Sequence, residues 1–301
     1  MMTRIRLSSA PHVSQFAQEC VVLKVRWGIL GAGRAGRARV EALRADPRAE
    51  VLGGWRGDLE SAELEGFNSF EEMLQHVDAV AVCSPDTFHA SQVHAALSAY
   101  RHVVCEYPVA SSAGEASSLF ALAVARDRVL HVEHIELLTP AAAWIRDFAV
   151  GKTLIGGAVR FFGGPRLRVT SPAHANIARL QRIIDAVGAP EDVSVERCTP
   201  SNLGVQMIYP NDVRVSLDCR MEEGLTRQLE FVLEFEQGIV RQESGEVFLD
   251  GSKVELEPSP GLFKTDQLAA TAAILDGEES YIPMERVLDG LSLADLVMGA
   301  A

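Results

Sequence analysis

After a mixed opening, MMTRIRLSSAPHVSQFAQEC, the chain settles into a beat of short apolar runs and stretches with helical spacing. VRWGIL (25–30) is the first apolar run, and RARVEALRADP follows it with helical spacing. EVLGGW is a second strand, SFEEMLQHV a helix with Ser69 placed to cap it, and DAVAVCS a third strand of the fully buried type. ASQVHAALSAY, HVVCEY, AGEASSLFALAVARD and VLHVEHI continue as helix, strand, helix and strand. Strands that alternate with helices in this way predict a parallel sheet joined by crossovers.

The texture changes near residue 139. AVRFFGG alternates as a strand and RLQRIIDAVG reads as a helix ending at Gly188. VSVERC, GVQMIY, VRVSLDC, QLEFVLEF, GIVRQE and EVFLD then follow, separated by the turn signals PND, EEG, EQG and LDGS. Strands joined by tight turns predict a mostly antiparallel sheet. KTDQLAATAAILDG and MERVLDGLSLADLVMGA close the chain as helices. The expected organisation is a loose tail over 1–23, a dinucleotide-binding domain over 24–138 and a substrate and sheet domain over 139–301.

Composition narrows the partners. The 301 residues are 48% hydrophobic and 23% charged, with a net charge of −13. That balance argues against nucleic acid or an anionic membrane as the main partner. It also means that a local cluster of arginines needs a reason. The five cysteines, Cys20, Cys83, Cys105, Cys198 and Cys219, form no CxxC pair. They read as reduced thiols of a cytoplasmic protein, with neither a disulfide framework nor a metal site. No apolar run is long enough to span a bilayer.

The first chemical signal is GAGRAG. Gly31, Gly33 and Gly36 form GxGxxG between a strand and a helix, with Arg34 and Ala35 between the last two. In that context the first glycine permits a tight turn and the second lets the backbone approach a pyrophosphate. The third lets helix and strand pack closely. The helix N-terminus then offers free N–H groups to the phosphates. At the tip of the second strand, where a ribose-binding carboxylate is usual, stand Trp55 and Arg56. A guanidinium suits a 2′-phosphate and can stack on adenine, so NADPH is expected over NADH, with NADH still open. The alternative for Arg56 is a solvated loop charge.

SPDTFHASQVHAALSAYRHVVCEYPVA resembles the Gfo/Idh/MocA oxidoreductase family, in which a Rossmann domain joins a C-terminal α/β domain with an open, mostly antiparallel sheet. The resemblance implies that Ser84, Pro85 and His89 serve the nicotinamide side of the cofactor. It places Glu106 and Pro108 around the nicotinamide ribose. The family's sugar dehydrogenases use the lysine of Glu-Lys-Pro with an Asp and a His from a later helix. Here the lysine is Tyr107, and the other two positions align with His174 and Ala178. Oxidising an alcohol calls for a base with a pKa near the working pH, and a phenol near pKa 10 is a poor one.

EYP followed by VLHVEHIELL is similar to one branch of that family, the biliverdin reductases, the cyanobacterial type above all. The GLFKTD segment and the ARLQR spacing extend the likeness over nearly the whole chain after residue 25. The branch implies reduction of the central methine bridge of biliverdin to bilirubin, with hydride to carbon and a proton to a pyrrole nitrogen. No substrate hydroxyl has to lose a proton. Tyr107 then offers a ring face to a flat substrate; its alternative is a ring packed at the domain interface. Arg160, Arg166, Arg168, Arg179 and Arg182 are candidates for the propionates, and the resemblance gives Arg179 a catalytic part with Tyr107. Glu133, His134 and His174 are expected as a polar wall. Alternation along VLHVEHI puts Glu133 on the face of His131, and His134 with Glu136 on the other. A monomer, or a homodimer through the C-terminal sheet, is expected. The competing readings are another oxidoreductase of the family, acting on a sugar, an imine or a different aromatic, and a non-catalytic NADP-binding regulator.

Overall fold

The structure, a computed structural model, describes residues 23–164 and 171–301. Residues 1–22 of the expected tail, and the candidates Arg166 and Arg168, lie outside the described residues. The N-terminal half is built from β1 (Val25–Ala32), α1 (Arg34–Arg44), β2 (Ala49–Gly57), α2 (Phe70–His76) and β3 (Ala79–Val82). It continues with α3 (His89–Ser98), β4 (His102–Cys105), α4 (Ala113–Ala125) and β5 (Leu130–Val132). The strands form one sheet in the order β2-β1-β3-β4-β5, every neighbour parallel. The order reverses between β1 and β3, so a crevice opens beyond their carboxyl ends, the place where such sheets bind ligands. Helices cover both faces, which is why β3 is buried at all four residues and does not alternate.

The second half starts with α5 (Pro140–Ala149), β6 (Leu154–Gly163), α6 (Pro172–Ala175), α7 (Ile177–Val187), β7 (Asp192–Thr199) and β8 (Asn202–Tyr209). It ends with β9 (Val213–Met221), β10 (Gln228–Phe235), β11 (Gly238–Glu243), β12 (Glu246–Leu249), β13 (Ser252–Val254), α8 (Leu262–Asp276) and α9 (Met284–Ala300). The eight strands run β13-β12-β11-β10-β6-β9-β8-β7. All neighbours are antiparallel except β6 and β9, which are parallel in the centre. Both halves thus have the class that the pattern of strands and helices predicts.

One continuous apolar core runs from Val80 and Val82 of the parallel sheet to Phe231 and Leu233 of the antiparallel one. A second core lies on the other face of the parallel sheet, where Trp27, Ile29, Val40 and Leu43 meet Ala270 of α8. Helix α8, although late in the chain, therefore packs on the nucleotide-binding half.

Three local expectations change. The strand VLHVEHI ends at Val132, and Ile135–Leu138 is a 3-10 turn. Strand alternation therefore does not extend to Glu133, His134 and Glu136, and the two-faced arrangement expected for them does not form. The single later helix that the resemblance implies for His174 and Ala178 is two helices that break at Asn176. Helix α5 had a signal that the texture hid: Thr139 accepts a hydrogen bond from Ala142 N, with Pro140 at the first helical position.

Candidate active site

The glycine turn builds the first wall. Gly31 has φ +89°, and a Cβ there would stand 2.9 Å from Cys83 O and the Ser84 backbone. At Gly36 a Cβ would be 2.2 Å from Gly31 O. Both glycines are demanded by the fold of the turn. Gly33 is different: no atom lies within 4 Å of where its Cβ would be, so the space above it is open. It caps α1 with no side-chain hydrogen bond, and the first turn carries no acidic residue. The N–H groups of Arg34 and Ala35 are thus left to an anion.

Gly31 and Gly33 line a groove of about 650 Å³ with Trp55, Arg56, Ser84, Pro85 and Phe88. Arg56 is exposed, and its guanidinium lies 4.4 Å from the centre of the Trp55 ring. Asp58 bonds to Ser61 N and lies 3.9 Å from Arg37. Among the described residues, no carboxylate pairs with Arg56. His89 is buried and does not line the groove. Its two ring nitrogens lie 2.7 Å from Pro108 O and 2.8 Å from Ser84 O, bracing the two turns that carry Ser84 and the Glu106–Pro108 segment. The cradle fits a dinucleotide: an open glycine, an uncapped helix end and an unpaired cation at the far tip.

A second cleft, of about 690 Å³, begins at Glu106 and Tyr107 and runs between Glu133, Glu136 and Thr139 and the end of the antiparallel sheet. Arg160, Arg182, Arg227, Arg241 and Gln242 line it from the sheet side. Of the sequence candidates, Glu106, Tyr107, Glu133, Arg160 and Arg182 meet here. Arg227, Arg241, Gln242 and Glu230 had no local signal, since the turns and registers of β10 and β11 bring them in. Tyr107 stacks on His134, ring centres 5.1 Å apart. His134 itself is buried behind the wall, and burial pulls its pKa down to about 3. His174 lines neither cavity; Ser171 Oγ lies 2.7 Å from its Nδ1.

The charges are shared unevenly. Glu230 lies between Arg160 at 2.8 Å and Arg241 at 2.9 Å. Glu136 lies 3.3 Å from both Arg179 and Arg227. Arg179 is 1% exposed, stands behind Glu136, and lies 3.9 Å over the Phe161 ring, with Nε and Nη1 unbonded. Arg182 lies over Phe231 and donates to Gln242 Oε1 at 2.8 Å, and no carboxylate among the described residues pairs with it. Burial lowers its pKa to about 10, with only partial compensation from Glu136. Four arginines thus share two carboxylates and a fifth, Arg182, pairs with neither, in a chain of net charge −13.

Beneath the cleft lies a closed polar knot. Arg39, on the inner face of α1, pairs with Asp266 of α8 and lies 3.5 Å from Glu106. Asp266 also bonds to His131 at 2.9 Å and accepts from the Tyr281 hydroxyl at 2.7 Å. Tyr281 in turn accepts from His134 N at 2.8 Å. Burial opposes the charge on Asp266, but Arg39, then His131 and Tyr281, hold its carboxyl well below the usual range. The segment GLFKTD, singled out by resemblance, supplies this Asp266.

The glycine-turn groove opens beside the side-chain cleft, the arrangement that the family resemblance implies for an NAD(P)-dependent oxidoreductase. Residues 25–134 match the family model GFO_IDH_MocA, described as an oxidoreductase family with an NAD-binding Rossmann fold, and the chain carries that family's NAD-binding domain. The chain is 28% identical over 264 residues to mouse (Mus musculus) biliverdin reductase A, covering 80% of this chain and 88% of that one. Its fold matches a biliverdin reductase from Synechocystis sp. PCC 6803, solved in complex with biliverdin and NADP+, with a TM-score of 0.81 and 24% identity. That match covers 92% of this chain and 99% of the other. The UDP-N-acetylglucosamine 3-dehydrogenase of Acidithiobacillus ferrooxidans also gives a TM-score of 0.81, at 18% identity over 93% and 98% of the two chains. The same fold is thus shared with a biliverdin reductase and with a sugar-nucleotide dehydrogenase.

Proposed function

We propose that this chain is a biliverdin reductase that uses NADPH, reducing the central methine bridge to give bilirubin. The observation that carries the reading is Arg182, a buried guanidinium in the cleft wall whose only close polar partner among the described residues is an amide oxygen. A buried cation without a counterion is costly, and an anionic substrate group would satisfy it. Biliverdin brings two propionates on a flat conjugated frame. Tyr107 and Phe162 line the cleft as aromatic surface, and Arg160, Arg227 and Arg241 extend the cationic side. Arg179 acts from behind as a fixed positive charge that favours electron density arriving on the substrate. Tyr107 orients the substrate by its ring face. The family's lysine base is absent and has no task here, because no hydroxyl is oxidised.

The cofactor is held by Gly33 and the backbone of Arg34 and Ala35 at the pyrophosphate, by Arg56 at the 2′-phosphate over adenine, and by Ser84 and Pro85 of the groove with Glu106 of the cleft toward the nicotinamide. When bound, the reduced nicotinamide supplies the hydride. The test is an absorbance scan of biliverdin with NADPH and the purified protein. Loss of the red band with growth of a blue-region band supports the reading. An unchanged spectrum, with UDP-N-acetylglucosamine oxidised in a parallel assay, would replace it with the sugar-nucleotide alternative.

A further inference from the structure

Hydride transfer to a conjugated acceptor also needs a proton, and two carboxyls in the cleft wall have no part in anion binding. Strands β4 and β5 are parallel neighbours, with Cys105 opposite Val132. The residues that follow each strand stay adjacent: Glu133 N donates to Cys105 O at 2.9 Å. Glu106 and Glu133 therefore emerge side by side at the carboxyl edge of the sheet, both lining the cleft. Glu106 has the Arg39 guanidinium beside it, whereas Glu133, 1% exposed, has no cation paired with it among the described residues. Two ionised carboxylates side by side in a buried wall repel and are costly to desolvate, so one of the pair keeps a proton.

The surroundings decide which oxygen keeps it. Arg39 Nη2 lies 3.5 Å from Glu106 Oε1 and faces no oxygen of Glu133 in an ion pair. Glu133 is 1% exposed, and its Oε1 already accepts from Ile135 N at 3.0 Å. The other groups packed about the pair are Asp266 of α8, His131, His134, Tyr281 and Cys83. Burial, then Glu106 and Asp266, push the Glu133 carboxyl well up, and Arg39 offsets only part of this. Glu106 is also raised by burial, but Arg39 opposes that directly.

We propose that Glu133 holds the proton that accompanies the hydride, that Glu106 is the carboxylate that positions it, and that Arg39 decides between the two. The proposal rests on the reading of the cleft as a site of hydride reduction. In the step, the acceptor carbon gains the hydride and the π electron pair moves to the conjugated pyrrole nitrogen. That nitrogen takes the proton as the Glu133 O–H bond breaks. Glu133 is left as a carboxylate beside Glu106. Their repulsion draws a proton back from solvent once the product has left the open cleft.

Two measurements test this. The first needs no substrate: infrared spectra of wild type and Glu133→Gln at pH 7. The expected difference is loss of a protonated-carboxyl C=O stretch. Loss of carboxylate intensity alone overturns the proposal. The second is single-turnover reduction of biliverdin. Glu133→Gln should slow it by roughly two to four decades, the usual range for general acid catalysis, with NADPH titration by fluorescence unchanged. The wild-type rate should fall as pH rises past the Glu133 pKa, and Glu133→Gln should lack that fall. A variant that is slow but keeps the wild-type pH profile overturns the proposal, because Glu133 is then structural. If Glu133→Gln does not fold, Glu133→Asp should keep the acid stretch and the pH profile at reduced rate; loss of either overturns the proposal. A wild type that leaves biliverdin unreduced removes the bilin reading and with it the delivery step. The infrared measurement then still decides where the proton resides.

Discussion

Two buried arginines, about as far from water as each other, live under opposite electrostatics. Arg39 is 0% exposed and Arg182 is 5% exposed. Around Arg39 the fold supplies Asp266 and Glu106, so its pKa rises despite burial. Around Arg182 it supplies the Gln242 amide and the face of Phe231, and the pKa falls to about 10. The first region is an ion-paired knot that joins α1 to α8 and backs the Glu106 turn. The second is an open cleft with a charge still to be answered. A counterion provided by the fold marks a structural cation; one withheld in the wall of a cleft marks a binding cation.

The contrast predicts the largest effect. Asp266→Ala removes the nearer partner of a buried Arg39 and leaves it only the more distant Glu106, and should cost about 3–5 kcal/mol of stability. Arg182→Met removes a charge that has no counterion, and should stay within about 1 kcal/mol of wild type or exceed it. The Met variant should instead lose about tenfold or more in biliverdin affinity, as for one charge-assisted hydrogen bond of about 1.5–3 kcal/mol. Urea denaturation of both variants without ligand checks the stabilities, and equal losses would erase the distinction.

Arg179 belongs to neither class: it is buried like Arg39, yet two of its nitrogens are unbonded. Arg179→Ala should lower kcat by about two to three decades, equivalent to roughly 3–4 kcal/mol, with NADPH affinity near normal. Arg179→Lys should recover only part of this, since an ammonium does not reproduce the planar fork. Wild-type kcat in the alanine variant would place Arg179 with the structural cations, and lost NADPH binding would assign it to the cofactor or the fold.

On the coenzyme side the effects are smaller and more selective. Arg56→Asp should raise the KM for NADPH far more than that for NADH. Equal use of both by the wild type, unaltered by the substitution, removes the 2′-phosphate role. The smallest change is expected from Tyr107→Phe. The ring still stacks on His134 and faces the cleft, so most turnover should persist; a loss of several decades would give the hydroxyl the chemistry instead.

These regions also differ in how far they could be read from residues alone. The groove is local: Gly31, Gly33, Gly36, Trp55, Arg56, Ser84 and Pro85 lie within one βαβαβ stretch. The backbone conformations they need restrict residue choice, which leaves a pattern in the chain. The cleft is assembled at long range. Arg39 meets Asp266 across 227 positions, and Arg182 meets Gln242 across 60. No periodicity reports such a pairing. On α1, a polar residue at Arg39 looks like a solvent position until α8 is seen to cover it. His89 and His174 carry the same lesson, since a histidine in a plausible segment says nothing of where its ring points.

By itself the sequence determined the alternation of strands and helices, the change to an antiparallel sheet, the glycine turn and the missing lysine. Each follows from constraints on neighbouring residues: side-chain period, allowed φ, and which functional group stands at a turn. Tertiary structure decided which charges are answered. It ended β5 at Val132, set Glu133 beside Glu106 through the register of two parallel strands, and brought Arg227 and Arg241 to Glu136 and Glu230. Whether a buried cation or carboxyl is neutralised depends on what lies within about 4 Å in space, where Coulomb energies in a poorly screened interior are largest. That distance is fixed by packing between segments far apart in the chain, which no local pattern encodes.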